Sequence, residues 1–242
     1  MLKKVEAIIV KAIKYSETSI ICDAYTDELG LRTYIINGVR KKNSRVSPGL
    51  LQPMALVELV VYHHEDKEVN RIKEIKPSYV YQRIPFEVPH GAVGLFMTEV
   101  VQKTLREPEP QPLLFEFLKK CYVELDQTPQ KIANYTVWFL AHYATYLGLT
   151  PSIEQLTEES VFDYSVGRIL AEAPSGHHYY FSTHNTHVLA AFLELEAAAS
   201  AQLELSKEDR KSLQQDLLYY YQYHLDNFGP LNSVAILQSV FA

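Results

Sequence analysis

Near Pro89 the hydrophobic period of the chain changes from two to 3.6 residues, and this change constrains the fold more than any other feature. Before it lie five strand-like runs rich in Val, Ile, Thr and Tyr: VEAIIVKAIKY, TSIICDAYT, LRTYIING, MALVELVVYH and EVNRIKEIKP. Leu56, Glu58, Val60 and Tyr62 alternate onto one face of the fourth run. Gly30, closing the DELG turn, supplies the positive φ of a tight hairpin, and HHEDKE is a polar turn between the fourth and fifth runs. Five strands in about 80 residues, with a longer third connection, predict a small closed barrel of the OB type.

After Pro89 the pattern is helical. Val93, Phe96, Met97, Val100 and Val101 form one stripe; Leu114, Phe117, Leu118, Cys121 and Leu125 form a second, opening at Pro112. Ile132, Tyr135, Phe139, Leu140, Tyr143 and Leu147 form a third, stopped by Gly148 and Pro151. Two further helices are expected over Thr186–Ala201 and Lys207–Leu225, the latter capped by Ser206. Between them and the third stripe lies a non-helical insert, 152–185, holding a short hairpin that turns at Ser165–Gly167. The expected architecture is therefore α+β and multidomain: a five-stranded OB-type barrel over residues 1–80, then a mostly α-helical domain over 81–242 with a small β-hairpin insert.

Charge is divided unevenly between these parts. The chain carries a net charge of −6, yet residues 1–80 hold 13 Lys/Arg against 10 Asp/Glu and residues 81–242 hold 10 against 19. Local patches, not totals, govern field-driven binding. Arg40, Lys41, Lys42 and Arg45 fall within six residues, with no acid between Gly38 and Glu58, in the long connection after the third strand. This loop is the candidate nucleic-acid contact, because barrels of this kind use their faces and loops to bind single strands. Lys11, Lys14 and Arg32 extend the patch if the strands pair in order. Tyr15, Tyr25, Tyr34 and Tyr62 are candidate stacking rings, although most such residues serve as core.

Other motifs favour structural readings. His177, His178, His184 and His187 have spacings compatible with zinc, but no cysteine or paired acid completes a set nearby, so the segment reads as a loop leading into a helix. The run Tyr219–His224 places rings on several helical faces and reads as packing. Two distant cysteines, Cys22 and Cys121, suit a reducing compartment. No signal-like or transmembrane-length segment is present, giving the expectation of a cytoplasmic, soluble protein with no membrane partner. No nucleotide-binding, nucleophile-elbow or metalloprotease motif occurs, and nothing in the sequence asks for an enzyme.

Several of these residues resemble a known family. YSET-S (Tyr15–Ser19), YTDELG (Tyr25–Gly30) and the Gly-x-Arg basic stretch ending in LQP (Leu51–Pro53) occur in the order and spacing of the N-terminal domain of RecO. YLGLTP (Tyr146–Pro151), FDYSVGRI (Phe162–Ile169) and LNSVAILQSVF (Leu231–Phe241) resemble its helical part. Many members carry a four-cysteine zinc module after the third helix; here the corresponding PSIEQLTEESVFDYS has no cysteine, so the resemblance implies neither zinc nor another cofactor.

The resemblance implies a DNA repair and recombination mediator that turns over no covalent bond. It would bind single- and double-stranded DNA, anneal complementary strands and act with RecR. It would also contact the C-terminal tail of the single-strand-binding protein and help RecA load onto coated DNA. By position, Arg40, Lys41, Lys42 and Arg45 become DNA contacts, with Lys11, Lys14 and Arg32 secondary. The acidic, apolar-ended tail calls for an apolar pocket edged by cations. Lys119, Lys120, Lys131, Arg106 and Arg168 are the cations near the first helices, and Trp138 and Phe139 the apolar candidates. The alternatives are a non-enzymatic protein–protein adaptor built on an OB-type barrel, and a hydrolase or transferase with an unfamiliar site.

Overall fold

Five strands close into a barrel in a computed structural model of the chain, which describes residues 1–39, 46–105, 109–129 and 131–241. They are β1 (Leu2–Lys14), β2 (Ile20–Thr26), β3 (Gly30–Ile36), β4 (Leu56–Tyr62) and β5 (Val69–Pro77), in the closed order β1-β2-β3-β5-β4, with β3 and β5 parallel. Alternation decides what faces inward. Val5, Ala7, Ile9, Cys22, Ala24, Tyr34, Ile36, Val57, Leu59 and Val61 fill the interior. Burial pushes the Cys22 thiol up to about 12, so it serves as a small apolar filler. Gly30 takes φ 65° at the β2–β3 turn, as expected of its place. Register shifts at Ile9/Lys11 and Val60/Val61 bend the two long-paired strands, as closure requires.

Helices α1 (Val88–Thr104) and α2 (Pro112–Gln127) belong to the same compact unit as the barrel, Met1–Gln127, although the period changes near Pro89, well before that unit ends. The predicted α1 stripe is buried throughout. In α2, Phe117 is only half-buried, and Phe115 and Tyr122 take the core positions instead. Tyr25, on the outward face of β2, lies beneath α2: its ring is 6.1 Å from Phe115 and its hydroxyl donates to the Gln111 carbonyl. The connection from β5 to α1 is tied by the buried Asp126 carboxylate. It accepts from the N–H groups of Gln82, Arg83 and Ile84 at 2.8–2.9 Å and from the Tyr79 hydroxyl at 3.1 Å.

The second unit, Thr128–Ala242, contains α3 (Tyr135–Tyr146), β6 (Val161–Asp163), β7 (Arg168–Leu170), α4 (Thr183–Glu194), α5 (Ala197–Ser200), α6 (Lys207–His224) and α7 (Ser233–Val240). The predicted hairpin is present as β6–β7, with Gly167 at φ 69°. Ser206 caps α6 by accepting from Asp209 N–H.

The helix expected over Thr186–Ala201 is instead two. It starts earlier, where Ser182 caps α4, and it breaks at Leu195, whose extended backbone turns its carbonyl to the Trp138 indole N–H at 2.8 Å. A tertiary hydrogen bond to a buried ring therefore overrides the local preference of an Ala-rich run. Helix α7 is an eight-residue apolar segment, too short for its period to register in the sequence. No helix among the described residues is long and apolar enough to cross a membrane.

Candidate nucleic-acid interface

Strand register assembles an exposed band on the outside of the barrel. Tyr62 opposes Arg71, Arg71 opposes Ile35, Ile35 opposes Ile21, and Ile21 opposes Ile13. All five share outward parity, because their neighbours Val61, Ile72, Ile36 and Cys22 point in. Ile13 and Tyr62 are 50% and 39% exposed, Arg71 is exposed, and Ile21 and Ile35 are half-buried. A second row, Val69, Thr33, Asp23 and Lys11, runs beside it. Four strand spacings make the first row about 19 Å long. The row curves round the closed barrel: Ile21 and Ile35 lie on the β2–β3 side that OB folds use for oligonucleotides, while Ile13 and Tyr62 stand near the strand ends that lead into the β1–β2 and β4–β5 loops. Here outward alternation leaves apolar groups uncovered, which is what a partner with flat apolar faces would cover.

Arg40, Lys41, Lys42 and Arg45 lie outside the described residues, in the connection that leaves β3 after Ile36. Lys14 opposes Ile20, and Ile20 opposes Ile36, so Lys14 stands at the strand end from which that connection departs. Lys11 is exposed on the second row of the band, opposite Asp23, whose carboxylate accepts from the Thr33 hydroxyl at 2.7 Å. Arg32 is placed differently. It is half-buried, shares the inward parity of Tyr34 and Ile36, and sits four residues, about 13 Å, back along β3 from Ile36. Lys4 and Lys76 both pair with Glu58, at 2.6 and 3.2 Å, and add little free positive charge.

Of the four candidate rings, Tyr25 and Tyr34 are core residues at 1% and 0% exposure, while Tyr15 and Tyr62 are open. The structure adds Ile13, Ile21, Ile35, Val69 and Arg71. Their only signal in the sequence is apolar residues recurring on the outward phase of otherwise alternating strands.

A second cationic surface lies in the helical unit. A groove of about 760 Å³ is floored by Ile132, Leu203 and Phe241 and edged by Lys131 and Arg210. An adjoining cavity of about 220 Å³ shares Arg210 and Phe241 and adds Lys207 and Lys211. Glu204 also lines the larger groove. Arg210 is held in place by Asn134, whose Oδ1 accepts from its guanidinium at 3.2 Å while its amide binds the carbonyls of Ser200 and Leu203. Residues 128–242 hold five Lys/Arg against twelve Asp/Glu, and four of those five cations line these two cavities; the fifth, Arg168, is exposed on β7.

Of the residues expected to meet a partner, only Lys131 lines this groove. Trp138 and Phe139 are buried in the same unit, the first bonded to Leu195 and the second stacked on Tyr143 at 5.1 Å. Lys119 and Lys120 belong to the barrel's unit, paired with Glu6 at 2.7 Å and Glu124 at 3.6 Å. Arg106 lies outside the described residues. The missed cations stand in the KEDRK run that opens α6, where alternating signs hid which side faced an apolar floor.

The four histidines make four separate contacts. His177 meets Asp163 at 3.3 Å and stacks on Tyr179; His178 lies near Tyr180; His184 meets Asp209 at 3.3 Å; and His187 contacts the Glu158 carbonyl. No cluster of three or more His, Cys, Asp or Glu side chains able to hold a metal ion occurs among the described residues.

The closed barrel with parallel β3 and β5, followed by a helical unit with a two-stranded sheet, defines an OB-fold protein with a helical extension. Family comparison agrees over nearly the whole chain. Residues 1–81 match the Recombination protein O N-terminal model and residues 90–234 the C-terminal model. The chain is 29% identical over 242 residues to the DNA repair protein RecO of Christiangramia forsetii, covering 100% of both chains. It is 28% identical to that of Flavobacterium psychrophilum, covering 99% of both, and 26% identical over 241 residues to that of Bacteroides fragilis, covering 100% of both. The chain belongs to the RecO family of DNA repair proteins.

Proposed function

We propose that this chain is a non-enzymatic recombination mediator that binds single- and double-stranded DNA through its barrel and anneals complementary strands. In this reading it acts with RecR to help RecA load onto DNA coated by the single-strand-binding protein. The observation that carries the reading is the exposed band from Ile13 to Tyr62. Its Ile21 and Ile35 lie on the OB ligand side, and Lys14 stands at the strand end from which the sequence segment bearing Arg40, Lys41, Lys42 and Arg45 departs. Phosphates are held by the loop cations and bases by the apolar band. Annealing follows from such a division, because a strand held by its backbone presents base edges to a complement. Arg32, turned inward, is left out of the interface.

The groove edged by Lys131, Lys207, Arg210 and Lys211 suits the tail of the single-strand-binding protein. An acidic chain ending in an apolar residue with a free carboxylate needs an apolar floor and cations at its rim, and an otherwise acidic unit gathers both here. Lys119, Lys120, Trp138 and Phe139 play no part in this placement.

The test is an anisotropy titration of labelled single-stranded DNA over a range of salt, comparing native protein with the Arg40→Ala, Lys41→Ala, Lys42→Ala, Arg45→Ala variant. Each lost phosphate contact makes the slope of log K against log salt shallower by about 0.7, so the variant's slope is expected to be shallower by up to about 3, with a large loss of affinity. Equal slopes would move the DNA site away from the loop. Absence of binding by either protein at low salt would favour a protein–protein adaptor.

A further inference from the structure

The end of the β4–β5 hairpin carries a pocket of about 270 Å³ lined by Tyr62, His64, Lys67, Val69, Asn70 and Arg71. Its frame is fixed by the buried Asn70 side chain. That amide accepts from His64 N–H at 2.8 Å and donates to the carbonyls of His64 and Lys67 at 3.4 and 3.2 Å. Over this frame stand Tyr62 and Val69, about 40% exposed, and Tyr62 has no ring partner among the described residues. Arg71 lies directly across the strand pair from Tyr62, on the same face. Below the volume of most small-molecule pockets, the site has room for one flat ring system.

Its charge sets it apart from the basic loop. Residues 62–71 hold Glu65, Asp66 and Glu68 against Lys67 and Arg71. A backbone of phosphates gains little from such a balance, whereas a ring face between Tyr62 and the Arg71 guanidinium gains from both. We infer that this pocket seats one unpaired nucleobase, stacked on Tyr62 and flanked by Arg71, and that it makes the barrel favour single strands over duplex. The inference rests on the reading of the barrel as a DNA-binding surface. Selectivity follows because bases in a duplex are already stacked and paired, and extracting one costs free energy that a single strand does not spend.

The test uses the full chain with a single strand carrying 2-aminopurine and a blunt duplex of equal length. Native protein is compared with Tyr62→Ala, Tyr62→Leu and Tyr62→Phe, each checked by thermal melting. Tyr62→Ala and Tyr62→Leu are expected to weaken single-strand binding roughly 5- to 150-fold. Both should leave the salt slope unchanged, weaken duplex binding far less than single-strand binding and lose the quenching of bound 2-aminopurine, while Tyr62→Phe binds like the native protein. Should one of the two ring-deleting variants fail to fold, the other carries the test. Unchanged single-strand affinity, or equal weakening on both DNAs, would overturn the base seat while leaving barrel binding intact. Native protein that binds neither DNA would overturn both.

Discussion

Two irregular segments of this molecule are held by opposite chemistry. In the barrel's unit, the connection between β5 and α1 hangs on one buried charge: Asp126 collects three backbone N–H groups and the Tyr79 hydroxyl. Burial alone would raise that carboxyl's pKa, but these donors hold it below its ordinary value. In the helical unit, the β6–β7 hairpin has its own carboxylate, Asp163, accepting from the Ser165 N–H and hydroxyl at the turn, but it is joined to its surroundings by rings and neutral hydrogen bonds. Tyr164, Tyr179 and Tyr223 stand with centroids 5.2–5.9 Å apart. His224 contacts the Tyr164 carbonyl, and Phe162 N–H donates to Thr186 Oγ1. The chain has no cysteine after Cys121, so thiolate–metal bonds are not available to this hairpin, and tilted and edge-on tyrosine contacts join it to α6 instead. A charged anchor concentrates stability in one group and makes it depend on pH. A ring cluster spreads stability over many weak contacts.

The sharpest way to break this contrast is Asp126→Ala. Three backbone N–H groups, that of Ile84 fully buried, would lose their acceptor, and a loss of about 3 kcal/mol in urea denaturation is expected. The sign of the pH effect follows from the lowered native pKa. The carboxylate's contribution is fully present above the unfolded value of about 3.9 and is lost as pH falls through the native value. The variant should therefore lack that acid-limb loss; a variant with the native acid limb would show that another group controls it.

Arg210→Ala comes next and contrasts the two cationic surfaces. An acidic peptide with an apolar C-terminal residue should bind about tenfold more weakly, equivalent to about 1.4 kcal/mol, while single-stranded DNA binding is unchanged. Loss of DNA binding and retention of the peptide would reverse the assignment. The smallest effect is expected for Tyr223→Leu, about 1 kcal/mol by thermal melting, with no change in the profile below pH 5. A collapse of the fold would mean the ring cluster acts as a single indispensable staple.

The barrel was legible in the sequence because strand alternation is a local signal with a period of two, and the five runs match β1–β5 closely. The third helix stop, the Ser206 cap and the β6–β7 turn were legible for the same reason: Gly148, Ser206 and Gly167 act on backbone within a few residues. The break at Leu195 was not, because its cause is an indole N–H 57 residues away. The two functional surfaces divide in the same way. The basic cluster announces itself through adjacency, but the band from Ile13 to Tyr62 exists only through strand pairing, and the groove only through the meeting of Lys131 with α6 and Phe241.

By itself, then, the sequence determined the order of elements, the period that gives each its type and the segment where positive charge is densest, since each depends on neighbours within a few residues. Only the tertiary structure decided that Arg32 turns inward, that Tyr25 is covered while Tyr62 is open, and that the acidic unit gathers four of its five cations around one apolar floor. The physical reason is that exposure and charge clustering are properties of register and packing, which bring together residues the chain keeps far apart.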